Sequence, residues 1–254
     1  ILNEPIKTEF YIARRLSSRR DGAKAGVMER IATIATAVSL AVVIVTLSVV
    51  VGFKEELNSK ISGSVSDVVI TAPESLGVAS SVAIERSAAI EALIEQEPIE
   101  RYSAYRTKEG VFKSDENIVG ILLKGVDSLY RLDFYGECLT AGELPRLSGE
   151  PRSKDILISE TTAQKMDIEV GDRVEMVFID TDGTVLRDRF EVSGTYSTGV
   201  ENIDNTYAIT DIRNVARLYE GDNHRITGYE VWLKEGADRR VVAQRLNEEL
   251  LLIY

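Results

Sequence analysis

The stretch Ile31 to Gly52, IATIATAVSLAVVIVTLSVVVG, decides the organisation of the chain. Its 22 residues carry no charge and are almost all Ala, Val, Ile, Leu, Thr and Ser. At about 1.5 Å per residue, a helix of this length covers about 33 Å, which matches a hydrocarbon core about 30 Å thick. The stretch therefore predicts a transmembrane helix over residues 31–52.

Two other interpretations of the apolar stretch are open. A secretory signal has an apolar core of about 7–15 residues, closer to the terminus and followed by a small-residue cleavage site. A buried core helix usually has an apolar run of about 10–14 residues and a polar stripe. Here 30 residues precede the run and no charged face interrupts it. We therefore favour the membrane span.

The 254-residue chain has a formal net charge of −11, and this charge is unevenly distributed. Residues 1–30 carry seven Lys/Arg and four Asp/Glu, a balance of +3, whereas residues 53–254 carry 23 basic and 37 acidic side chains, a balance of −14. Positively charged flanks stay on the cytoplasmic side of a membrane. We therefore expect the residues after 53 to be extracytoplasmic, and their negative charge argues against nucleic-acid binding.

Residues 1–30 form a basic segment with amphipathic character. In the stretch EFYIARRLSSRR, aromatic and aliphatic side chains alternate with arginines. Such a pattern is typical of a short helix in the membrane interface, with aromatic side chains in the headgroup zone and arginines at lipid phosphates. The predicted interface residues are Phe10, Tyr11, Arg14 and Arg15. A solvated basic flank is the alternative.

The residues after the span predict a stalk and an α+β extracytoplasmic domain. Phe53, Leu57 and Ile61 recur at helical spacing, so the helix is expected to continue through residues 53–66 as a stalk. A strand followed by a helix is predicted over residues 67–96, with the helix covering 83–96, and the same order recurs near the C-terminus. Two such units can share one small sheet.

The segment between these two units is predicted to be mainly β. Asp180 to Gly183, DTDG, predicts a hairpin because an Asp-Gly pair accepts the positive φ values of a tight turn. Ser159 is the predicted N-cap of a short helix. The predicted fold is thus an N-terminal transmembrane helix with a two-lobed α+β domain. One lobe comprises residues 67–124 and 223–254, and the inserted lobe comprises residues 125–222.

The sequence lacks the common catalytic and cofactor-binding motifs. His224 is the only histidine, and the sequence around it shows no spacing typical of a catalytic triad. Cys138 is the only cysteine, so no disulfide can form within the chain. The frame Gly120 to Gly125 has the spacing of a phosphate-binding loop, but Val126 stands where that loop needs a lysine. We therefore predict no catalytic residue, no cofactor and no metal site on this chain, and we do not expect it to be an enzyme.

Several stretches of the sequence resemble one known family. They are FYIARRL before the span, LSVVVGFKEELNSKI across its outer end and SDVVIT at the start of the outer domain, then GELP, ILISETTAQKMDIEVGDRVE, FEVSGTY and ITGYEVWL. In this order they are similar to the LolC/LolE-type permease subunits of the lipoprotein-releasing ABC transporter, within the wider MacB and FtsX class. The resemblance covers residues 9–250.

The resemblance implies a permease of the bacterial inner membrane that works with a separate cytoplasmic ABC ATPase and a second permease subunit, as a homo- or heterodimer. The implied cargo is a lipoprotein, which is passed to a periplasmic carrier. In that family the outer domain has a porter lobe of two strand–helix units and an inserted sabre lobe. The family also has further C-terminal transmembrane helices, which are absent from this sequence, so we expect it to be a piece of a longer protein.

The resemblance also suggests two groups of site residues. The apolar face expected to contact the acyl chains of the lipoprotein consists of Leu40, Val43, Leu47, Val50, Phe53 and Leu57. Ordinary packing against lipid or other helices is the alternative role for these side chains. A hairpin over residues 179–189 occupies the place of a carrier-binding hook but contains no proline. Its candidate docking residues are Thr181, Gly183, Arg187 and Arg189.

Other functions are compatible with the same organisation. A MacB-like efflux permease, or an FtsX-like signalling protein that regulates cell-wall hydrolases, would share the span and the outer domain. An enzyme or a soluble binding domain with an accidental apolar run is an alternative from another class.

Overall fold

The structure is a computed structural model that describes residues 11–12, 23–64, 66–72, 82–113, 117–180, 182–219 and 224–251. In the long N-terminal helix it describes the side chains of residues 26–53. The chain forms two compact units, Ile1–Ser59 and Lys60–Tyr254. The two units are described separately.

Among the described residues, the first unit consists mainly of helix α1, which spans Ala23–Ser64 and so extends five residues past the end of that unit. Within α1, Gly26–Phe53 is long and apolar enough to cross a membrane, and the predicted span lies inside it. Hydroxyl groups in this region donate to carbonyls one turn earlier, as Thr36 does to Ala32 at 2.9 Å. Such bonds satisfy polar atoms within the helix, as an apolar environment requires. The helical backbone also covers residues 53–64 of the predicted stalk.

The second unit is a mixed α+β domain built on one large sheet. Its strands are β1 (Val68–Thr71), β2 (Ile84–Glu85), β3 (Ile99–Lys113), β4 (Ile118–Val126), β5 (Leu139–Gly142), β6 (Asp155–Ser159), β7 (Arg173–Ile179), β8 (Val185–Tyr196), β9 (Tyr207–Asp211), β10 (Arg225–Ile226) and β11 (Gly228–Leu233). Its helices are α2 (Ala88–Gln96), α3 (Asp133–Glu137), α4 (Glu160–Met166), α5 (Glu201–Asp204), α6 (Ile212–Arg217) and α7 (Arg239–Leu250). The sheet order is β1-β11-β3-β4-β9-β6-β8-β5, and β7 pairs with β3 and β8.

The two predicted strand–helix units lie side by side in this sheet. Strands β1 and β11 pair antiparallel, with Val68 opposite Val231. Helices α2 and α7 contribute Ile94 and Leu246 to one apolar cluster, which also contains Val231. Burying these side chains against one face of the sheet stabilises both units together. The two units therefore share a sheet although more than a hundred residues separate them in sequence.

Strand β3 belongs to both halves of the domain. Its first half pairs with β11, and its second half pairs with β4 on one side and with β7 on the other. Because β7 also pairs with β8, the strands β3, β4, β9, β6, β8 and β7 close into a ring. Closure leaves no free edge in this part of the sheet. Its interior is filled by Phe112, Leu123, Ile156, Met176, Phe178, Phe190 and Ala208.

The helix predicted over residues 83–96 begins later than expected. Ile84 and Glu85 form strand β2, which pairs with β10. Helix α2 starts after Ser87, whose side chain accepts a hydrogen bond from the amide of Ala89. A serine in extended conformation at this position satisfies one of the free amides of the first turn, and this fixes the start of the helix.

Several local predictions are confirmed. Strands β7 and β8 form the hairpin predicted at Asp180 to Gly183, and Gly183 has a φ of +85°. Ser159 caps helix α4 by accepting from the amide of Thr162. The frame Gly120 to Gly125 lies within strand β4 and is not a loop. The boundaries of the two lobes stay predictions.

Candidate functional sites

The residues predicted to contact acyl chains lie along α1. Leu40, Val43, Leu47, Val50 and Phe53 are all more than half exposed, from 53% for Val43 to 64% for Phe53. Their spacing of three and four residues places them on one broad face of the helix. Leu57 lies on the described helical backbone, but its side chain is outside the described residues. Other faces of α1 are equally apolar and exposed, for example at Val45 (62%).

The predicted interface segment is described at only two positions. Tyr11 lies in a helical stretch and is 65% exposed. Phe10, Arg14 and Arg15 lie outside the described residues. Their role at the membrane surface stays a prediction.

The β7–β8 hairpin presents most of the predicted docking residues. The amide of Gly183 donates to the carbonyl of Asp180 at 2.9 Å, and the amide of Asp180 donates to the carbonyl of Thr184 at 2.9 Å. The Asp182 carboxylate accepts from the amide of Thr184 at 2.8 Å. These bonds define a tight turn whose positive φ suits glycine at position 183. Thr181 lies outside the described residues.

Arg187 and Arg189 share one acidic partner on the opposite strand. Arg189 is directly opposite Glu175 in the register and lies 3.2 Å from its carboxylate. Arg187 lies 3.5 Å from the same carboxylate. Their side chains are 67% and 77% exposed, respectively. Two guanidinium groups around one carboxylate leave an excess positive charge on the outer face of the hairpin, and exposed pairs of this kind are weak.

The tip of this hairpin also carries an apolar pair that the sequence reasoning missed. Ile179 and Val185 are directly opposite each other, next to the turn. They are 67% and 53% exposed. The alternation of VEMVFI, which buries Met176 and Phe178, places Ile179 on the outer face and could have revealed it. The hairpin therefore combines an apolar tip with cationic flanks.

A buried polar cluster was also missed. Lys124 on β4 donates through Nζ to Oε1 of Glu230 on β11 at 2.7 Å and to the hydroxyl of Tyr130 at 3.3 Å. Burial alone would lower the pKa of Lys124, but the Glu230 carboxylate together with Tyr135 and Tyr105 outweighs it, and the pKa is raised. Burial and the same carboxylate raise the pKa of Tyr105 to about 12. No local signal in the sequence pairs residues so far apart.

The residues considered for metal or catalytic chemistry are dispersed. Within the described ranges, no group of three or more His, Cys, Asp and Glu side chains is placed to hold a metal ion. His224 is exposed at the start of the segment leading to β10. Cys138 is half-buried against an aromatic cluster that contains Tyr135 and Tyr196. The described structure brings neither residue into a site.

Comparison with known proteins identifies a family that matches this chain. Residues 31–249 match the family described as the MacB-like periplasmic core domain. No curated protein sequence matches the chain.

Three solved structures also resemble the chain. The periplasmic region of MacB from Actinobacillus actinomycetemcomitans is 16% identical with a TM-score of 0.47, over 68% of this chain and 75% of that one. The extracellular domain of the noncanonic ABC-type transporter YknZ from Gram-positive bacteria is 15% identical with a TM-score of 0.44, over 72% and 91%. A permease domain from Porphyromonas gingivalis is 20% identical with a TM-score of 0.37, over 68% and 71%.

Proposed function

Because the chain belongs to the MacB-like periplasmic core domain family, we propose that it is a permease subunit of an ABC transporter that extracts lipoproteins from the inner membrane and passes them to a periplasmic carrier. One observation carries this proposal: a helix able to cross a membrane, Gly26–Phe53, lies at the N-terminal end of the region that matches the family, residues 31–249. The family and the helix together indicate a membrane-anchored protein with an extracytoplasmic domain. Lipoprotein release is the finer step, and the sequence resemblance to LolC/LolE-type subunits supports it.

In this proposal the chain is a non-catalytic subunit that needs no cofactor. The G-x-x-x-x-G frame at Gly120 lies in a strand and lacks the lysine that binds phosphates. The resemblance to LolC/LolE-type subunits supports ATP hydrolysis on a separate cytoplasmic subunit. A second permease subunit completes the transporter, as a homo- or heterodimer.

The apolar face of α1 is proposed to receive the acyl chains of the lipoprotein. Moving a lipid anchor from the bilayer into water costs about 0.8 kcal/mol of free energy per methylene group. An apolar surface along the helix would offset much of this cost. Leu47 and Phe53 lie toward the end of the apolar stretch that precedes the outer domain. They are the residues at which we expect the acyl chains first to meet the helix.

The β7–β8 hairpin is proposed to dock the periplasmic carrier. The exposed pair Ile179 and Val185 forms an apolar tip beside Gly183, and Arg187 and Arg189 supply positive charge next to it. Thr181 is included in this proposal from its place in the sequence alone. An acidic rim around an apolar depression on the carrier would be complementary to this surface.

Photo-crosslinking in the membrane tests the acyl-chain assignment. A photoreactive residue at Leu47 or Phe53 is expected to label a triacylated lipoprotein when the chain is co-expressed with its ATPase. Val45 is the matched control because it is equally exposed but lies on the opposite side of the helix from Leu47. Equal labelling at all three positions, or none at Leu47 and Phe53, would contradict the assignment.

Charge reversal tests the docking assignment. Arg187→Glu with Arg189→Glu is expected to weaken co-purification of the carrier, whereas Arg173→Glu, an exposed residue at the far end of the same hairpin, is expected to leave it unchanged. Equal capture by both variants would show that the hairpin does not dock the carrier.

A MacB-like efflux permease or an FtsX-like signalling protein is the second candidate. The family match supports this second candidate as well as the first, because the matched family is described as the MacB-like periplasmic core domain. Co-purification of the ATPase and of extracytoplasmic partners separates the candidates. Capture of a cell-wall hydrolase, or of an efflux adaptor, in place of a lipoprotein carrier would favour the second.

A further inference from the structure

A buried lysine contacts the turn of the β7–β8 hairpin. Lys108 lies on β3, and its side chain is 5% exposed. Its Nζ donates to Oδ2 of Asp180 at 3.4 Å. Among the described residues, Asp180 is the only carboxylate that forms an ion pair with Lys108. A buried ammonium group is unfavourable without such a partner, so this contact favours one position of Asp180.

An aromatic ring contacts the same ammonium group. Nζ of Lys108 lies 3.9 Å from the centre of the Tyr219 ring, and the guanidinium carbon of Arg106 lies 4.1 Å from that centre. Arg106 and Lys108 are two residues apart on β3, so their side chains lie on the same face of the strand. The Tyr219 hydroxyl donates to the carbonyl of Thr107 at 3.0 Å. The ring is therefore fixed on β3 by its hydroxyl and by two cation–π contacts, and it helps to fix the Lys108 ammonium.

Asp180 connects this arrangement to the hairpin turn. Its amide donates to the carbonyl of Thr184, and its carbonyl accepts from the amide of Gly183, both at 2.9 Å. Strand β7 pairs with β3 at Met176 and Val177. Closer to the turn, β8 is the one strand among those described that pairs with β7. The ion pair with Lys108 therefore links the turn directly to β3.

We propose that Lys108 is a positioning residue that holds the turn of the β7–β8 hairpin in one orientation relative to the sheet. If the turn moved away, the Lys108 ammonium would stay buried without its carboxylate, and this opposes the movement. The ion pair thereby keeps the exposed apolar tip, Ile179 and Val185, in a fixed place. A surface that is already ordered binds a partner with a smaller loss of conformational entropy. The role in carrier docking rests on the function proposed above, whereas the positioning of the turn does not.

Spin labelling of the hairpin tip tests the positioning role. A nitroxide is attached at Val185→Cys in the chain in which Cys138 is replaced by alanine, and electron paramagnetic resonance in an uncharged detergent measures its mobility. Lys108→Met is expected to increase this mobility, because it removes the charge that binds Asp180 and leaves a carboxylate that, at 37% exposed, water can solvate. Lys113→Met is the matched control, because it removes an exposed lysine at the end of the same strand.

A second variant removes the other partner of the same contact. Asp180→Asn keeps the backbone bonds of the turn and is expected to increase the mobility of the label as Lys108→Met does. The double variant is expected to be no more mobile than either single variant, because both changes remove one interaction. Circular dichroism verifies that each variant is folded. Equal mobility in Lys108→Met and Lys113→Met, or additive effects in the double variant, would overturn the proposal.

Capture of a purified periplasmic lipoprotein carrier by the unlabelled chains separates positioning from docking. Lys108→Met is expected to weaken capture by about two- to tenfold, because the turn must then be ordered on binding. Lys113→Met is expected to leave capture unchanged. Higher mobility with unchanged capture in Lys108→Met would contradict the docking assignment of the hairpin and would still support the positioning role of Lys108.

Discussion

Lys124 and Glu230 form a buried ion pair that crosses an intervening strand. The Nζ of Lys124 on β4 lies 2.7 Å from Oε1 of Glu230 on β11, and both side chains are 9% exposed. Strand β3 lies between β4 and β11 in the sheet. The lysine therefore reaches over β3, past the ring of Tyr105 at 5.2 Å. The pair ties together the two sequence segments, residues 67–124 and 223–254, that form one predicted lobe.

Removal of one member of this pair is expected to destabilise the domain strongly. Glu230→Leu leaves the Lys124 ammonium buried without its carboxylate, and such a change costs about 3–5 kcal/mol of unfolding free energy. The double variant Lys124→Met with Glu230→Leu is expected to recover most of the loss, because it removes both charges. Urea unfolding followed by tryptophan fluorescence measures both variants.

An exposed ion pair supplies the control for the Lys124 and Glu230 variants. Arg131 lies 3.8 Å from Glu100, and both side chains are more than 40% exposed. Arg131→Gln is expected to change the unfolding free energy by about 0–1 kcal/mol. A loss in Glu230→Leu no larger than in Arg131→Gln would show that the buried pair does not hold the strands together.

The raised pKa of Tyr105 predicts a loss of stability at high pH. Its pKa is about 12 in the folded chain and about 10 in an unfolded chain, so the folded state favours the neutral phenol. The contribution is fully present below pH 10 and is lost as the pH rises toward 12. We expect the unfolding free energy to fall across this window, by about 3 kcal/mol at most from Tyr105.

Tyr105→Phe isolates this contribution. The phenylalanine keeps the ring in the aromatic cluster but cannot ionise, so its stability should fall less between pH 10 and 12 than that of the unaltered chain. Unfolding curves at a series of pH values measure the difference. Parallel pH profiles for the two proteins would show that Tyr105 does not titrate in this range.

A glycine in β11 is required by its contact with β1. A Cβ built on Gly228 would lie 2.1 Å from the carbonyl oxygen of Ile70, which is a backbone atom. Gly228→Ala must therefore separate the two strands, and we expect a loss of about 1–3 kcal/mol of unfolding free energy. Gly120→Ala in β4 meets no atom within 4 Å and is expected to be neutral or stabilising. Similar urea midpoints for the two variants would contradict this explanation.

Local features of the fold could be predicted from the sequence because their causes are local. The uncharged stretch from Ile31 identified the long helix, and the Asp-Gly turn at 182–183 identified the β7–β8 hairpin. The predicted start of α2 was too early, because the helical periodicity of the sequence extends through Ile84, whereas the helix begins at Ala88. That residue is held in a strand by pairing with Ile226, which is far away in sequence.

The features that could not be predicted depend on contacts between distant segments. Closure of the ring of strands depends on the pairing of Val111 in β3 with Val177 in β7. The sequence of neither strand indicates which strand it pairs with. Lys124 on β4 binds Glu230 on β11, and Lys154 before β6 binds Asp188 on β8, so each pair joins separate segments. Of the candidate sites, the sequence predicted the hairpin and the apolar helix, whose residues are contiguous. It could not predict the ion pair of Lys154 with Asp188.

The cap of α4 predicts a difference between two serines that have the same local role. Ser159 is fully buried, and its hydroxyl accepts from the amide of Thr162 at 3.1 Å and also contacts the carbonyl of Asp204. Ser87 caps α2 by accepting from the amide of Ala89 at 3.2 Å in an exposed setting.

Substitution by alanine at each position is therefore expected to have unequal effects. Ser87→Ala removes a cap that water can replace, at a cost of about 1 kcal/mol. Ser159→Ala removes a cap and leaves buried backbone groups without a partner, at a cost of about 2–4 kcal/mol. Urea unfolding of the two variants measures the difference. Equal losses would mean that the helix cap alone determines the effect of Ser159, and that its contact with the α5 segment contributes nothing to the stability of the domain.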